Sequence, residues 1–135
     1  MHPYHHAVSS ARKHGGKPED YLSVHAWFDG SKEHICDFRH RALRHHAAGI
    51  FEAERIFGLV ITNSDGRPVP TRILAEQHVR EDCGRIPSVK DWLKTIRGER
   101  LMISPRVRDA SGLTIIHECC IEVEDQQLNL FEGHT

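Results

Sequence analysis

Apolar residues recur at intervals of three and four through the middle of the chain, where no proline occurs from Glu33 to Phe57. This spacing places one apolar stripe along a helix, and it predicts a long central helix over residues 33–57 that ends at Gly58. The stripe consists of Ile35, Phe38, Ala42, His45, Gly49, Ala53 and Ile56. Because His45 is a polar member of this stripe, we expect its imidazole to point inward.

Shorter helices are predicted on both sides of the central one, because glycine and proline mark natural helix ends. They cover residues 3–14, 18–30, 73–83 and 87–96. The pattern therefore predicts a mainly α fold with small β-hairpins, an α+β arrangement in a single compact domain.

Two stretches have the sequence pattern of β-hairpins. The run 59–62 and Val69 flank the turn sequence 63–66, which predicts a short hairpin near 59–70. The apolar runs 101–103 and 113–123 flank a second turn and predict a C-terminal hairpin. The chain is accordingly expected to comprise a His-rich helical part, a hairpin and an exposed tail, over residues 1–98, 99–124 and 125–135.

The composition limits the classes of protein to which this chain can belong, but it does not identify a function. A chain of 135 residues with 39% hydrophobic content is large enough for one buried core. The formal net charge of −1 does not require a nucleic-acid or membrane partner. The sequence contains no apolar run long enough for a membrane span and does not begin like a signal peptide, so we expect a cytoplasmic protein.

Histidine is the compositional outlier, with 12 residues in 135. Several of these histidines have an acid or another histidine one helical turn away, which puts both side chains on the same helical face. If the helices pack together, imidazoles and carboxylates can converge on a divalent ion, most naturally zinc. The candidate ligands are His25, His40, His45, His78 and Asp82.

An alternative to a metal site, a set of hydrogen-bonded core histidines, remains open at this point. Buried histidines are often hydrogen-bonded core residues, and no zinc-finger or H-E-x-x-H spacing occurs in the sequence. Arginines between residues 38 and 46 also suggest a phosphate contact, for which Arg39 and Arg44 are the candidates. Ion pairs with neighbouring acids are the more common arrangement for such arginines.

The C-terminal sequence carries a motif of a different kind. It contains Gln127, Leu128, Asn129, Leu130 and Phe131. These residues resemble the peptide with which many bacterial proteins bind the DNA polymerase sliding clamp. Two apolar anchors and a glutamine suit a peptide that docks in an apolar pocket, with Gln127, Leu128, Leu130 and Phe131 as the contact residues. The alternative is that this peptide packs on its own domain.

Most of the chain also resembles an uncharacterised family of small phage and bacterial proteins. The resemblance extends over residues 2–97 and rests on segments 2–7, 15–16 with 19–21, 25–29, 38–46 and 76–82. It implies a phage or prophage setting and carries no activity.

Two functional hypotheses follow from these patterns. In the first, the chain is an accessory or modulator protein that binds the sliding clamp through its tail and holds a divalent ion in its helical part. In the second, it is a metal-dependent hydrolase acting on phosphate esters or nucleic acid, in which the ion activates water.

Overall fold

The computed structural model describes residues 1–94 and 96–97, together with two short strands further along the chain. It divides the chain into two units, Met1–Arg97 and Gly98–Thr135. The first unit is mainly helical with one small antiparallel sheet. The prediction of a mainly α fold with a small hairpin is thereby confirmed.

The helices of the first unit are α1 (Pro3–His14), α2 (Glu19–Gly30), α3 (Arg41–Arg44), α4 (Ala47–Phe57), α5 (Thr71–Cys83) and α6 (Val89–Leu93). Two 3-10 turns, Ser31–Glu33 and Phe38–His40, lie between α2 and α3. Among the helices that the structure describes, none combines the length and the apolar character needed to span a bilayer.

Local sequence signals explain where several helices begin and end. The His2 side chain accepts a hydrogen bond from the backbone of Tyr4, and Pro3 occupies the first turn of α1. Ser88 and Asp91 form a capping box at the start of α6. Helix α5 ends at Gly84, whose positive φ of 75° suits glycine.

The core lies among α1, α2, α4 and α5. It consists of Ala7, Tyr21, Val24, Phe28, Ile50, Ala53, Val69, Leu74, Ala75 and Val79. Beside these apolar side chains, six imidazoles are also buried: His6, His25, His40, His45, His46 and His78. The interior of this unit is therefore partly polar, and those polar groups need partners.

The hairpin predicted near 59–70 consists of β1 (Val60–Thr62) and β2 (Pro68–Pro70), which pair in antiparallel fashion. Asn63 organises its turn. The Asn63 side-chain oxygen accepts hydrogen bonds from the backbone of Asp65 and Arg67, and its amide donates to the Tyr21 hydroxyl. The turn is thus tied directly to α2.

The long helix predicted over 33–57 is wrong as a continuous element. The chain leaves helical geometry at His45 and becomes extended at His46, which has φ −157° and ψ 170°. The His46 ring then accepts a hydrogen bond from the backbone of Gly49 and starts α4. Phe38 is 76% exposed and Ile56 57% exposed, so the apolar stripe does not form one buried face.

In the second unit, β3 (Val107–Arg108) pairs with β4 (Thr114–Ile115) in antiparallel fashion. This pair lies inside the range 99–124 in which a hairpin was expected. The run 101–103, expected as its first strand, and the tail 125–135 lie outside the described residues.

Candidate metal centre

Three separate segments bring two carboxylates and two imidazoles together inside the first unit. The group consists of Asp29, His45, His78 and Asp82. Each residue offers one ligand atom, and these atoms all lie within 4.8 Å of one another. The protein therefore contains a cluster of Asp and His side chains that could hold a metal ion.

Local structure explains how each segment reaches the group. His78 and Asp82 are four residues apart on α5 and so share one helical face. Asp29 lies in the last turn of α2. His45 reaches the centre from the break between α3 and α4, where its carbonyl accepts a hydrogen bond of 2.9 Å from the Trp92 indole. The helix break is thus part of the site.

Two distances within the group suit a shared ion. The Nε2 atom of His45 lies 3.1 Å from Nε2 of His78 and 3.3 Å from Oδ2 of Asp82. Ligands that each lie about 2 Å from one tetrahedral zinc ion are separated by roughly 3 to 3.5 Å. The 3.1 Å distance also fits a hydrogen bond between the two rings.

The carboxylates provide an independent indication. Both Asp29 oxygens and Oδ2 of Asp82 are buried, and none of them has a hydrogen-bond partner within the part of the chain that the structure describes. Burying a charged carboxylate is costly, and the contacts with Lys32 and Arg41 offset part of that cost for Asp29 and Asp82. A cation bound between the two carboxylates would offset more of it. These oxygens therefore fit a metal better than they fit a closed hydrogen-bond network.

The charge state of Asp82 agrees with this interpretation. Burial alone would raise the pKa of its carboxyl, but contacts with His45, His6 and the amino nitrogen of Met1 outweigh burial and hold it below its usual range. Asp82 is therefore ionised, as a metal ligand must be.

A hydrogen-bond chain behind His78 orients this imidazole. The Ser10 hydroxyl donates to Gln77, so its oxygen is free to accept from Nε2 of His25, 2.9 Å away. The Nδ1 atom of His25 then accepts from Nδ1 of His78 at 3.1 Å. With its proton on Nδ1, His78 presents the Nε2 lone pair to the centre, which is the tautomer that a ligand needs.

His25 and His40, both proposed as ligands from the sequence, lie behind the group of four rather than in it. Burial lowers the pKa of His25 to about 4, so its ring is neutral and suited to the hydrogen-bond chain. The Nδ1 atom of His40 lies 2.8 Å from the Ser31 hydroxyl, and its Nε2 atom lies 3.9 Å from Asp29. Both rings support the residues around which the centre is built.

Two acidic residues and one histidine near the centre were not among the candidate ligands. One of the acids is Asp29, which lies four residues after His25 on α2. Nε2 of His6 lies 3.3 Å from Asp82, and its Nδ1 lies 2.6 Å from Glu81. Burial would lower the pKa of His6, but the two carboxylates together raise it. The sequence feature that could have pointed to His6 is its position next to His5 in α1.

The two arginines proposed as phosphate contacts have other partners. Arg39 is exposed and forms a bidentate ion pair with Asp37. Arg44 donates a hydrogen bond to the Trp27 carbonyl and stacks over the Trp27 ring at 4.6 Å. These contacts are those of an ion-paired surface residue and a packed structural residue. The clamp-motif residues Gln127, Leu128, Leu130 and Phe131 lie outside the described residues.

Comparison with known proteins places the chain in a family. Searches of curated proteins and of solved structures each found no match. A family model described as a domain of unknown function (DUF6915) matches residues 1–102, and this range includes every residue of the centre. Because the match covers 102 of 135 residues, the chain belongs to this family of domains of unknown function, DUF6915.

Proposed function

We propose that this protein binds a divalent transition-metal ion and uses it to hydrolyse phosphate esters, including those of nucleotides or nucleic acid. The ligands would be Asp29, His45, His78 and Asp82. One observation carries the proposal: four ligand atoms from three segments converge within 4.8 Å in the interior, and their carboxylate oxygens include three without a described hydrogen-bond partner.

The donor set narrows the choice of ion. Two imidazole nitrogens and two carboxylates suit zinc and other borderline divalent ions such as iron, cobalt or manganese. Zinc with four protein ligands has no position left for water, so a hydrolytic zinc site would leave one of the four groups unbound. An ion that takes five or six ligands can bind all four side chains and still leave a position for water.

The chemistry is that of water activation. A divalent ion lowers the pKa of bound water and stabilises charge on a phosphoryl oxygen. In the proposed reaction the water oxygen forms a bond to phosphorus while the ester P–O bond breaks. The leaving oxygen takes a proton derived from the water, so the products are an alcohol and a phosphate.

Metal content is the first test. Untagged full-length protein, purified without chelator or a nickel column, is analysed by mass spectrometry for metals. About one ion per chain is expected, with loss in His45→Ala and Asp82→Asn but not in His34→Ala, an exposed histidine. A chain that takes up no ion, even after incubation with zinc, iron, cobalt or manganese, would overturn the proposal.

Turnover is the second test. Release of phosphate or of nucleotides is followed with a panel of phosphomonoesters, nucleotides and single-stranded DNA. We expect activity that a chelator removes and added metal restores. A stoichiometric ion without turnover on the whole panel would reject the hydrolase and leave a structural metal site.

A second candidate function concerns the tail, and it is compatible with the first. We infer from the sequence of residues 127–131 that this peptide binds a bacterial DNA sliding clamp, which would make the protein an accessory or modulator of replication. Leu130 and Phe131 supply the apolar anchors, and Gln127 supplies an amide for hydrogen bonding at the pocket edge.

Pulldown on purified clamp tests this function. The full-length chain should be retained, and a Leu130→Ala, Phe131→Ala double variant should be lost. An Asp125→Ala variant, which alters the tail outside the motif, serves as the control. Equal retention of the double variant and the parent chain would reject clamp binding through this peptide.

A further inference from the structure

Three partly exposed cations lie at the two carboxylates of the centre: the side chains of Lys32 and Arg41, and the amino nitrogen of Met1, which lies 3.1 Å from Asp82. The ammonium of Lys32 is 3.1 Å from Asp29, and the guanidinium of Arg41 is 3.7 Å from Asp82. Lys32 is 46% exposed and Arg41 30% exposed, whereas the carboxylates they approach are almost completely buried. The side chains of Lys32 and Arg41 are therefore in contact both with the buried carboxylates and with solvent.

Arg41 has hydrogen-bonding capacity left over. Its contact with Asp82 is longer than a hydrogen bond, and its Nε is buried without a hydrogen-bond partner among the described residues. A guanidinium carries five N–H donors in a fixed plane, and they bind two oxygens of one phosphate group well. Arg41 thus differs from Arg39, whose Nε and Nη2 atoms already donate to the Asp37 carboxylate.

An ion in the centre would change the role of Lys32 and Arg41. The charge of a divalent ion balances the charges of Asp29 and Asp82, and a carboxylate oxygen bound to the ion attracts a nearby ammonium or guanidinium less strongly. The positive charges of Lys32 and Arg41 are then no longer balanced by these carboxylates. This arrangement suits a group that carries two negative charges.

We propose that Lys32 and Arg41 bind the phosphoryl oxygens of the substrate beside the metal ion, so that the substrate is recognised through a terminal phosphate dianion. This inference rests on the proposed function and specifies its substrate class. It also assigns phosphate binding to residues other than Arg39 and Arg44. A terminal phosphate matches the two cations in charge and the guanidinium in geometry, whereas a carboxylate carries one charge only.

The test measures the affinity of the metal-loaded, full-length chain for inorganic phosphate by calorimetry. Lys32→Gln and Arg41→Gln are each expected to weaken binding about tenfold or more. Arg41→Lys, which keeps the charge and loses the planar fork, should fall between Arg41→Gln and the parent chain. Arg39→Gln and Lys90→Gln remove exposed positive charges elsewhere and should bind phosphate like the parent chain.

Acetate and sulfate are titrated in parallel, and phosphate should bind at least tenfold more tightly than acetate. Equal affinity for phosphate and acetate, or unchanged phosphate affinity in both glutamine variants, would overturn the inference. Metal content is measured on the same samples and separates the two levels of failure. If the metal-loaded protein binds phosphate equally well with and without the Lys32 and Arg41 side chains, this inference alone is rejected. If the protein binds no ion, the proposed function is rejected.

Discussion

At the scale of single residues, substitution of Asp29 is expected to change the melting temperature differently in the metal-free and the metal-bound protein. The buried Asp29 carboxylate accepts no hydrogen bond from the described residues and has one side-chain ammonium, that of Lys32, beside it, so we expect it to destabilise the metal-free fold and to stabilise the metal-bound one. With chelator, Asp29→Asn is expected to melt at the same temperature as the parent chain or higher. With metal it should melt lower, by about 4–8 °C for each kcal/mol lost.

Thermal melting by circular dichroism, with and without chelator, measures both effects. Glu52→Gln provides the control, because Glu52 is an exposed acid on α4. An Asp29→Asn variant that loses the same stability in both conditions would show that Asp29 supports the fold without binding an ion.

His25 is expected to act as a positioning residue through His78. His25→Ala removes the group that fixes the His78 tautomer, and metal affinity should fall about 10- to 100-fold. Competition with a chromophoric chelator measures the affinity, and melting in excess chelator reports any loss of fold. Ser10→Ala breaks the chain one step further away and should have a smaller effect. Unchanged affinity in His25→Ala would contradict this role.

Sequence spacing could identify only part of the centre. His78 and Asp82 lie one turn apart on one helix, so local periodicity suffices to pair them. Which rings then reach the same point depends on how helices pack, and spacing within each helix does not contain that information. For this reason His25 and His40 were expected as ligands, whereas Asp29, on the same helix as His25, was not chosen.

At the scale of elements, the break between α3 and α4 depends on Gly49. A Cβ atom at this position would overlap with the carbonyl of Arg44, so a side chain is not tolerated without a shift of the backbone. Gly49→Ala is expected to lower the free energy of unfolding by about 3 kcal/mol or more, as severe overpacking does. Because the break positions His45, metal affinity should fall as well.

Urea denaturation and metal titration measure these two effects. Ala48→Gly is the matched control, since Ala48 is the exposed neighbour on α4, and it should cost only about 1 kcal/mol. Normal stability of Gly49→Ala would show that α3 and α4 can join without this close approach.

The break itself was beyond prediction from periodicity. The intervals of three and four continue from Ala42 through His45 to Gly49 as they would in one helix. Tertiary contacts override this pattern, since the Trp92 indole binds the His45 carbonyl and the His46 ring caps α4. The hairpin at 59–70 was predictable because its turn sequence dictates the geometry locally.

Asn63 is expected to be the most sensitive position in that hairpin. It is buried, and its side chain makes four hydrogen bonds, including those to the His14 carbonyl and the Tyr21 hydroxyl. Asn63→Ala leaves buried groups unpaired and should cost about 2–4 kcal/mol in unfolding free energy. Urea denaturation measures the loss. Thr62→Ala, at an exposed neighbour, should stay within about 0.5 kcal/mol of the parent chain.

At the scale of the whole molecule, the two proposed functions fall in different units. The metal centre lies within Met1–Arg97, and the clamp-like peptide belongs to the range Gly98–Thr135. We therefore expect Asp82→Asn to lose metal and keep clamp binding. The Leu130→Ala, Phe131→Ala variant should keep its metal and lose clamp binding. Loss of both properties in either variant would show that the two functions are coupled.

The centre also joins distant parts of the sequence. His45 and His78 are 33 residues apart in the chain, yet their Nε2 atoms lie 3.1 Å apart. An ion bound to both closes that loop as a removable cross-link, which disfavours partly open states. Amide protons of α2 and α5 would then exchange with deuterium only when the whole unit opens. Occupancy by metal would thereby decide whether the unit opens in pieces or all at once.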